Sequence, residues 1–169
     1  MKPPPTLERA RELFDYDQAT GVITRKITVS NALRGSEAGS ICKTWGYRKI
    51  FIDGRRSFAH HVAWLLHYGE WPQGMIDHVN RVPADNRIVN LRIVTPSQNQ
   101  QNRTIQSNST SKMKGVTLHQ CGKWVAQIWN EGKKENLGMF INKDDAYDAY
   151  VSAAKRLHQF NPVVTEATQ

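Results

Sequence analysis

The sequence predicts an α+β protein built from small units: an N-terminal β-rich region, a polar strand–loop–strand–helix segment, and a three-stranded antiparallel sheet followed by one helix. Three observations carry this reading. Asp53-Gly54 separates two alternating runs, a strong hairpin signal. Residues 75–103 are crowded with Asn, Asp and Arg, yet two short apolar runs frame their polar turn. Residues 115–157 contain three short strand candidates and then a long helical stripe.

Taken in order, Leu7, Ala10, Leu13 and Phe14 are spaced for one helical face, and Ala19-Thr20-Gly21 turns into a strand over 22–27. Tyr47–Ile52 and Arg55–Phe58 flank the Asp-Gly turn. A helix follows over 59–68, with Val62, Leu65 and Leu66 on one stripe and Gly69 as its stop. Thr95, Pro96 and Gln98 occupy N-cap, N1 and N3 of a further helix, a capping-box arrangement. Residues 104–112 are small and polar, as a linker would be. Strands are expected over 115–119, 123–129 and 135–140, with Trp124, Ala126 and Ile128 facing the helix and Lys123, Val125, Gln127 and Trp129 facing outward. Asn142 is placed to cap the last helix, whose face is Ala146, Tyr150, Ala153, Ala154 and Leu157. The tail after Pro162 is expected to fray.

The 169 residues and 39% hydrophobic content suit two compact units better than one large core. Charged and polar groups interrupt every apolar run well short of the ~20 residues a membrane span needs. The Met-Lys-Pro-Pro-Pro start lacks the apolar stretch of a signal peptide and reads as an arm, so a cytoplasmic location is expected. Cys42 and Cys121 have no paired spacing, which argues against a disulfide framework or a cysteine zinc site. The net charge of +8 is spread along the chain, with +6 over residues 1–107, +3 over 108–160 and −1 from Glu166. Such a balance attracts polyanions, because binding releases condensed counterions from nucleic acid.

Residues 75–103 hold the chemistry. Hydrolysis of a phosphodiester needs a base to activate water and a divalent cation to offset charge on the phosphate. His78 titrates near neutrality and suits the base, while Asp77 and Asn99 offer hard oxygen ligands for Mg²⁺ or Mn²⁺. Neighbours on a strand point to opposite faces, so Asp77 and His78 serve one site only where the strand ends or bends. Asn99, Asn102 and Arg103 share one helical face, which makes Arg103 a phosphate candidate. Arg87 and Arg92 suit either a bracing role or solvent.

This segment resembles the HNH endonuclease motif, a strand–loop–strand–helix finger (the ββα-metal or His-Me finger) that holds one divalent metal. The resemblance extends upstream through Ala59-His60-His61-Val62-Ala63-Trp64, Gly69 and Pro72. It implies that His78 is the general base and that Asn90 holds the loop and positions that base. It also implies that Asp77 and Asn99 bind the metal in an H-N-N variant, with Mg²⁺ or Mn²⁺ favoured over Zn²⁺. His60 matches a recurrent family position and would contact substrate or pack. More weakly, Leu13-Phe14-Asp15-Tyr16, Thr20-Gly21 and Gly46-Tyr47-Arg48 resemble the N-terminal region of phage HNH proteins. Arg48, Arg55 and Arg56 cluster around the hairpin, where a basic β-ribbon would meet a DNA groove.

Lys114-Gly115-Val116-Thr117, Gly122–Ile128, Leu137–Phe140 and Asp145–Tyr150 resemble, in order, the Apetala-two (ethylene-response-factor) DNA-binding domain. The resemblance implies a sheet face that enters the major groove, with Thr117, His119 and Asn136 at family contact positions; outward-facing Gln127 and Trp129 are expected DNA contacts beside them, and Lys114 suits either a phosphate or solvent. The arginines and tryptophans that read bases in the plant family are replaced here, so target specificity does not transfer.

The expected organisation is an N-terminal DNA-contacting region over 1–58, the nuclease motif with its preceding helix over 59–103, a linker over 104–112, a DNA-binding domain over 113–161, and a tail over 162–169. The expected function is a homing-type or phage DNA endonuclease that uses one divalent metal on double-stranded DNA, as a monomer or weak dimer with no obligate protein partner. The alternative is a sequence-specific DNA-binding regulator with a decayed nuclease motif; intact Asp77, His78, Asn90 and Asn99 argue against it.

Overall fold

The computed structural model describes residues 3–102, 105 and 109–158. These form a mixed α/β chain of small antiparallel sheets and four α-helices, divided into two compact units at Val94/Thr95. Among the described residues no helix is long and apolar enough to cross a membrane.

The first unit opens with α1 (Leu7–Leu13), where Thr6 Oγ1 accepts the Arg9 N–H at 3.2 Å as an N-cap. β1 (Phe14–Tyr16) pairs antiparallel with β2 (Ile23–Arg25), a shorter strand than the 22–27 expected. β3 (Ser40–Ile41), β4 (Arg48–Ile52) and β5 (Arg55–Phe58) form a second sheet. Between β4 and β5, Asp53 and Gly54 both have positive φ (49° and 80°), the backbone that a two-residue type I′ hairpin requires. α2 (Ala59–Tyr68) begins directly after β5 and stops at Gly69 in the left-handed region (φ 85°). β6 (Met75–His78) and β7 (Leu91–Val94) then form an antiparallel ribbon around the polar loop, with Asp77 opposite Arg92 and His78 opposite Leu91.

One core runs through this unit. Leu13, Phe14, Ile23, Ile50 and Ile52 pack with Ala59, Val62 and Ala63 of α2 and with Ile76 and Leu91 of the ribbon. Residues 1–58 and 59–94 therefore share a hydrophobic interior, although the polarity pattern suggested a boundary at 58/59. Burial of Ile50 and Ile52, each stabilising by about 1.5–3 kcal/mol, fixes the sheet beneath α2.

The second unit begins with α3 (Pro96–Asn102), whose capping box is reciprocal: the Gln98 N–H donates to Thr95 Oγ1 at 3.2 Å and the Thr95 N–H donates to Gln98 Oε1 at 2.9 Å. β8 (Val116–Leu118), β9 (Trp124–Asn130) and β10 (Lys133–Phe140) make an antiparallel meander, and α4 (Lys143–Leu157) packs on it through Ala146, Tyr150, Ala153 and Ala154. Two details differ from expectation. Asn142 stands at the N-cap of α4, but its amide donates to Asp145 Oδ2 at 3.3 Å and its side chain caps no backbone N–H. Val125, expected to face outward, is buried because β9 is the central strand and Thr117 and Met139 flank it on both sides. Of the expected linker, Ser111 is folded in, its Oγ accepting the Met113 N–H at 3.1 Å and donating to Val116 O at 2.6 Å. Part of that linker and the whole 162–169 tail lie outside the described residues.

Candidate active site

The polar loop between β6 and β7 is held by a dense set of hydrogen bonds. Asn90 is buried; its Oδ1 accepts the Asn80 N–H at 2.9 Å, and its Nδ2 donates to Asn80 Oδ1 at 2.9 Å and to Asp85 O at 2.8 Å. The Val79 N–H donates to Asn90 O at 2.9 Å, so this one residue ties both ends of the loop. Asp85 accepts from Asn80 Nδ2 and from the Arg87 guanidinium, each at 2.6 Å, and chiefly the Arg87 bond holds its carboxyl down at about 2.

His78, at the end of β6, is 4% exposed. Its Nε2 lies 3.3 Å from Asn86 Oδ1; in the tautomer in which Nε2 donates to this amide oxygen, Nδ1 is the basic nitrogen. Burial lowers the His78 pKa below the ordinary histidine value, and this outweighs the opposing Asn86 bond and the nearby Asp77 and Asp85 charges. The ring is therefore neutral at neutral pH, the form a general base needs. Asn86 is 3% exposed, and its backbone carbonyl accepts the Tyr16 hydroxyl at 2.8 Å.

Gly21 explains why the N-terminal turn belongs to this site. Its φ is +76°, and an added Cβ would stand 2.4 Å from the Arg87 backbone nitrogen and 2.6 Å from the Asn86 carbonyl carbon. Only glycine allows the turn to press on the loop that carries Asn86.

Asp77 is also buried, and the Arg92 Nε and Nη2 both donate to its Oδ2, at 2.9 and 2.7 Å. The strand alternation that separates Asp77 from His78 is thus matched by different partners across the ribbon: Arg92 for one, the Asn86 loop for the other. Among the expected site residues, the structure brings Asp77, His78, Asn90 and His60 together in the first unit. Asn99 sits on α3 in the second unit, where its N–H donates to Thr95 O at 2.9 Å. Arg103 lies outside the described residues.

His60 is buried against Phe58, with rings stacked at 5.3 Å and 12°, and its ring centre is 5.1 Å from that of His78. Among the described residues its Nδ1 has no hydrogen-bond partner. Desolvation first, then the neighbouring His61 and His78, push its pKa down to about 2, so it sits beside His78 as a neutral ring.

The arginines of the hairpin divide. Arg48 turns inward: Nη1 donates to Gly39 O at 3.2 Å, and Nη2 pairs with Glu37 at 2.8 Å, so it braces β3 against β4 instead of standing at a groove-facing position. Arg56 is exposed with its guanidinium 5.5 Å above the Phe51 ring, and Arg55 is half-buried beside it. In the second unit, Thr117, Gln127, Trp129 and Asn136 fall on the sheet face opposite α4, Trp129 being 57% exposed. Asn136 Oδ1 accepts the Gly138 N–H at 3.1 Å across a bulge in β10. His119 Nδ1 accepts the Cys121 N–H at 3.3 Å, and Lys114 Nζ donates to Gln101 O at 2.6 Å, which commits part of its charge to the C-terminal end of α3.

Sequence reasoning missed Asn86, Asp85 and Tyr16. The available signal was the density of Asn80, Asp85, Asn86 and Asn90 in one loop, more amides than a turn needs.

Comparison with known proteins agrees with this geometry over part of the chain. Two relatives bear on it. One is Protein 3.8 of Escherichia phage T7, 29% identical over 92 residues that cover 53% of this chain and 74% of the phage protein. The other is an AP2/ERF and B3 domain-containing transcription factor of Arabidopsis thaliana, 39% identical over 59 residues that cover 35% of this chain and only 18% of the plant protein. No solved structure matches. The family model described as HNH endonuclease matches residues 57–101, from the end of β5 through α2 and the β6–β7 ribbon into most of α3, so this segment is similar to an HNH endonuclease domain.

Proposed function

We propose that this chain is a metal-dependent DNA endonuclease that makes a single-strand nick, with His78 as general base. The observation that supports it best is the buried, neutral His78 imidazole oriented by Asn86, in a loop that Asn90 ties together. His78 Nδ1 takes a proton from the attacking water while Asn86 holds the opposite ring nitrogen, so the imidazole reaches the reaction in one tautomer. Asn90 acts through the loop as a positioning residue.

Asp77 would hold the divalent cation, and the likeness of residues 57–101 to HNH endonucleases implies Asn99 as a further ligand. Their oxygen donors fit Mg²⁺ or Mn²⁺. When bound, the metal supplies Lewis-acid stabilisation of the phosphate and leaving oxygen. Arg92, with both bonds converging on Asp77 Oδ2, holds that carboxylate in one rotamer. The outward face of β8–β10 contributes affinity for double-stranded DNA through Thr117, His119, Gln127, Trp129 and Asn136, as an Apetala-two-type domain; Lys114 and Arg55 with Arg56 add charge. The protein acts as a monomer or weak dimer in a host cytoplasm, in keeping with its likeness to a phage protein.

The test is supercoiled plasmid incubated with Mg²⁺, Mn²⁺ or EDTA, beside His78→Ala. Metal-dependent nicked circles, absent in the variant, support the reading. DNA binding without cleavage in any metal would put the DNA-binding regulator in its place.

A further inference from the structure

The outer face of the β4–β5 hairpin has a composition that the nuclease chemistry does not use. Lys49 stands opposite Phe58, and Phe51 opposite Arg56, so cations and rings alternate on one surface. Lys49 Nζ lies 5.1 Å from the Trp45 ring centre and 5.8 Å from that of Phe58. Trp45 and Phe51 remain 61% and 57% exposed, unusual for large aromatics outside a binding surface. Beside this face opens a cavity of about 450 Å³ bordered by Lys49, Arg55, Arg56, Phe58, His61 and Trp71. Among the described residues, no acidic side chain lines it. Burial keeps His61 neutral, so it forms a ring wall and not a fourth cation.

We propose that this cavity takes one unpaired nucleotide of the DNA strand, its phosphate against Lys49, Arg55 and Arg56 and its base against the Phe58 and Trp71 rings. The size is right, since sites for small organic ligands run to about 300–1,000 Å³. So is the chemistry: unpaired nucleic acid is held by cations that follow the backbone and rings on which bases stack, without need for base-edge readout. A groove-reading ribbon would instead present polar side chains to base edges, and this face presents Trp45, Phe51 and Phe58. The cavity wall lies two ring contacts from His78: Phe58 stacks on His60, and the His60 ring centre is 5.1 Å from that of His78. This inference rests on the nuclease reading and gives it a substrate preference: DNA with an unpaired or flipped nucleotide near the scissile bond.

Binding of the full chain is measured in EDTA, where no cleavage occurs, to a short duplex containing one unpaired 2-aminopurine and to the same duplex fully paired. The proposal expects roughly tenfold tighter binding to the unpaired form, with quenched 2-aminopurine fluorescence. Lys49→Gln with Arg56→Gln should erase the preference and lower the salt dependence by about one to two ion contacts, with the thermal midpoint unchanged. Equal affinity for both duplexes, or a preference that survives the double substitution, overturns it. A chain that prefers the unpaired form but never cuts keeps the pocket and sinks the nuclease; a chain that cuts without preference does the reverse.

Discussion

The loop between β6 and β7 and the outward face of β8–β10 are both rich in polar residues, yet they use them in opposite ways. In the loop, Asn80, Asp85, Asn86 and Asn90 bond one another and His78, and Asn86 and Asn90 are buried. On the sheet face, Thr117, His119, Asn136 and Trp129 stand in solvent, and the bonds seen at His119 and Asn136 are local turns of the chain. Most buried polar groups are kept where they are satisfied, and a network of this kind fixes a side chain to one geometry. The contrast separates side chains held in one geometry from side chains left to solvent.

Asn86→Ala should break the comparison hardest. It removes the bond to His78 Nε2, and cleavage should fall about 10–100-fold, the effect typical of lost outer-shell orientation, with DNA affinity unchanged. Binding and single-turnover rates measured together check it, and a loss confined to affinity would refute the orienting role. Asn90→Ala should destabilise by about 2–3 kcal/mol in urea unfolding, because buried loop groups lose their partners.

The pH dependence sharpens the same contrast. Above 6.5 His60 is neutral in both the folded and the unfolded chain; below 6.5 the unfolded ring takes up a proton that the buried ring refuses until about 2. Stability therefore falls on acidification, by at most about 1.4 kcal/mol per pH unit for this group. His60→Phe should flatten that slope between neutral pH and mild acid, as urea titrations would show. Trp129→Ala marks the small end: stability within about 0.5 kcal/mol of the parent, and DNA affinity weakened without any change in single-turnover rate.

Much of the frame was legible because it is local. The Asp53-Gly54 turn, α2 from Ala59 to Tyr68, and the Thr95/Gln98 box depend on neighbours in the chain, and their backbone and caps are as the residues predict. His78, Asp77 and Asn90 stood out by type and order. What stayed hidden depends on distant partners. Asn86 reads as an ordinary turn former in Pro-Ala-Asp-Asn-Arg, and only Tyr16 and Gly21, from the other end of the unit, press it into the site. Arg48 looked like a surface cation until Glu37 and the Gly39 carbonyl turned it inward. Arg92 could not be matched to Asp77 before the register of β6 and β7 was known.

The single-turnover nicking rate of His78→Ala in saturating Mg²⁺, at protein concentrations where binding matches the parent, tests the central claim most directly. The account predicts a fall of about 10²–10⁴-fold, the usual contribution of a general base, with the thermal midpoint of unfolding retained. A variant that nicks within a few-fold of the parent would contradict it, and the proton acceptor would have to be sought elsewhere.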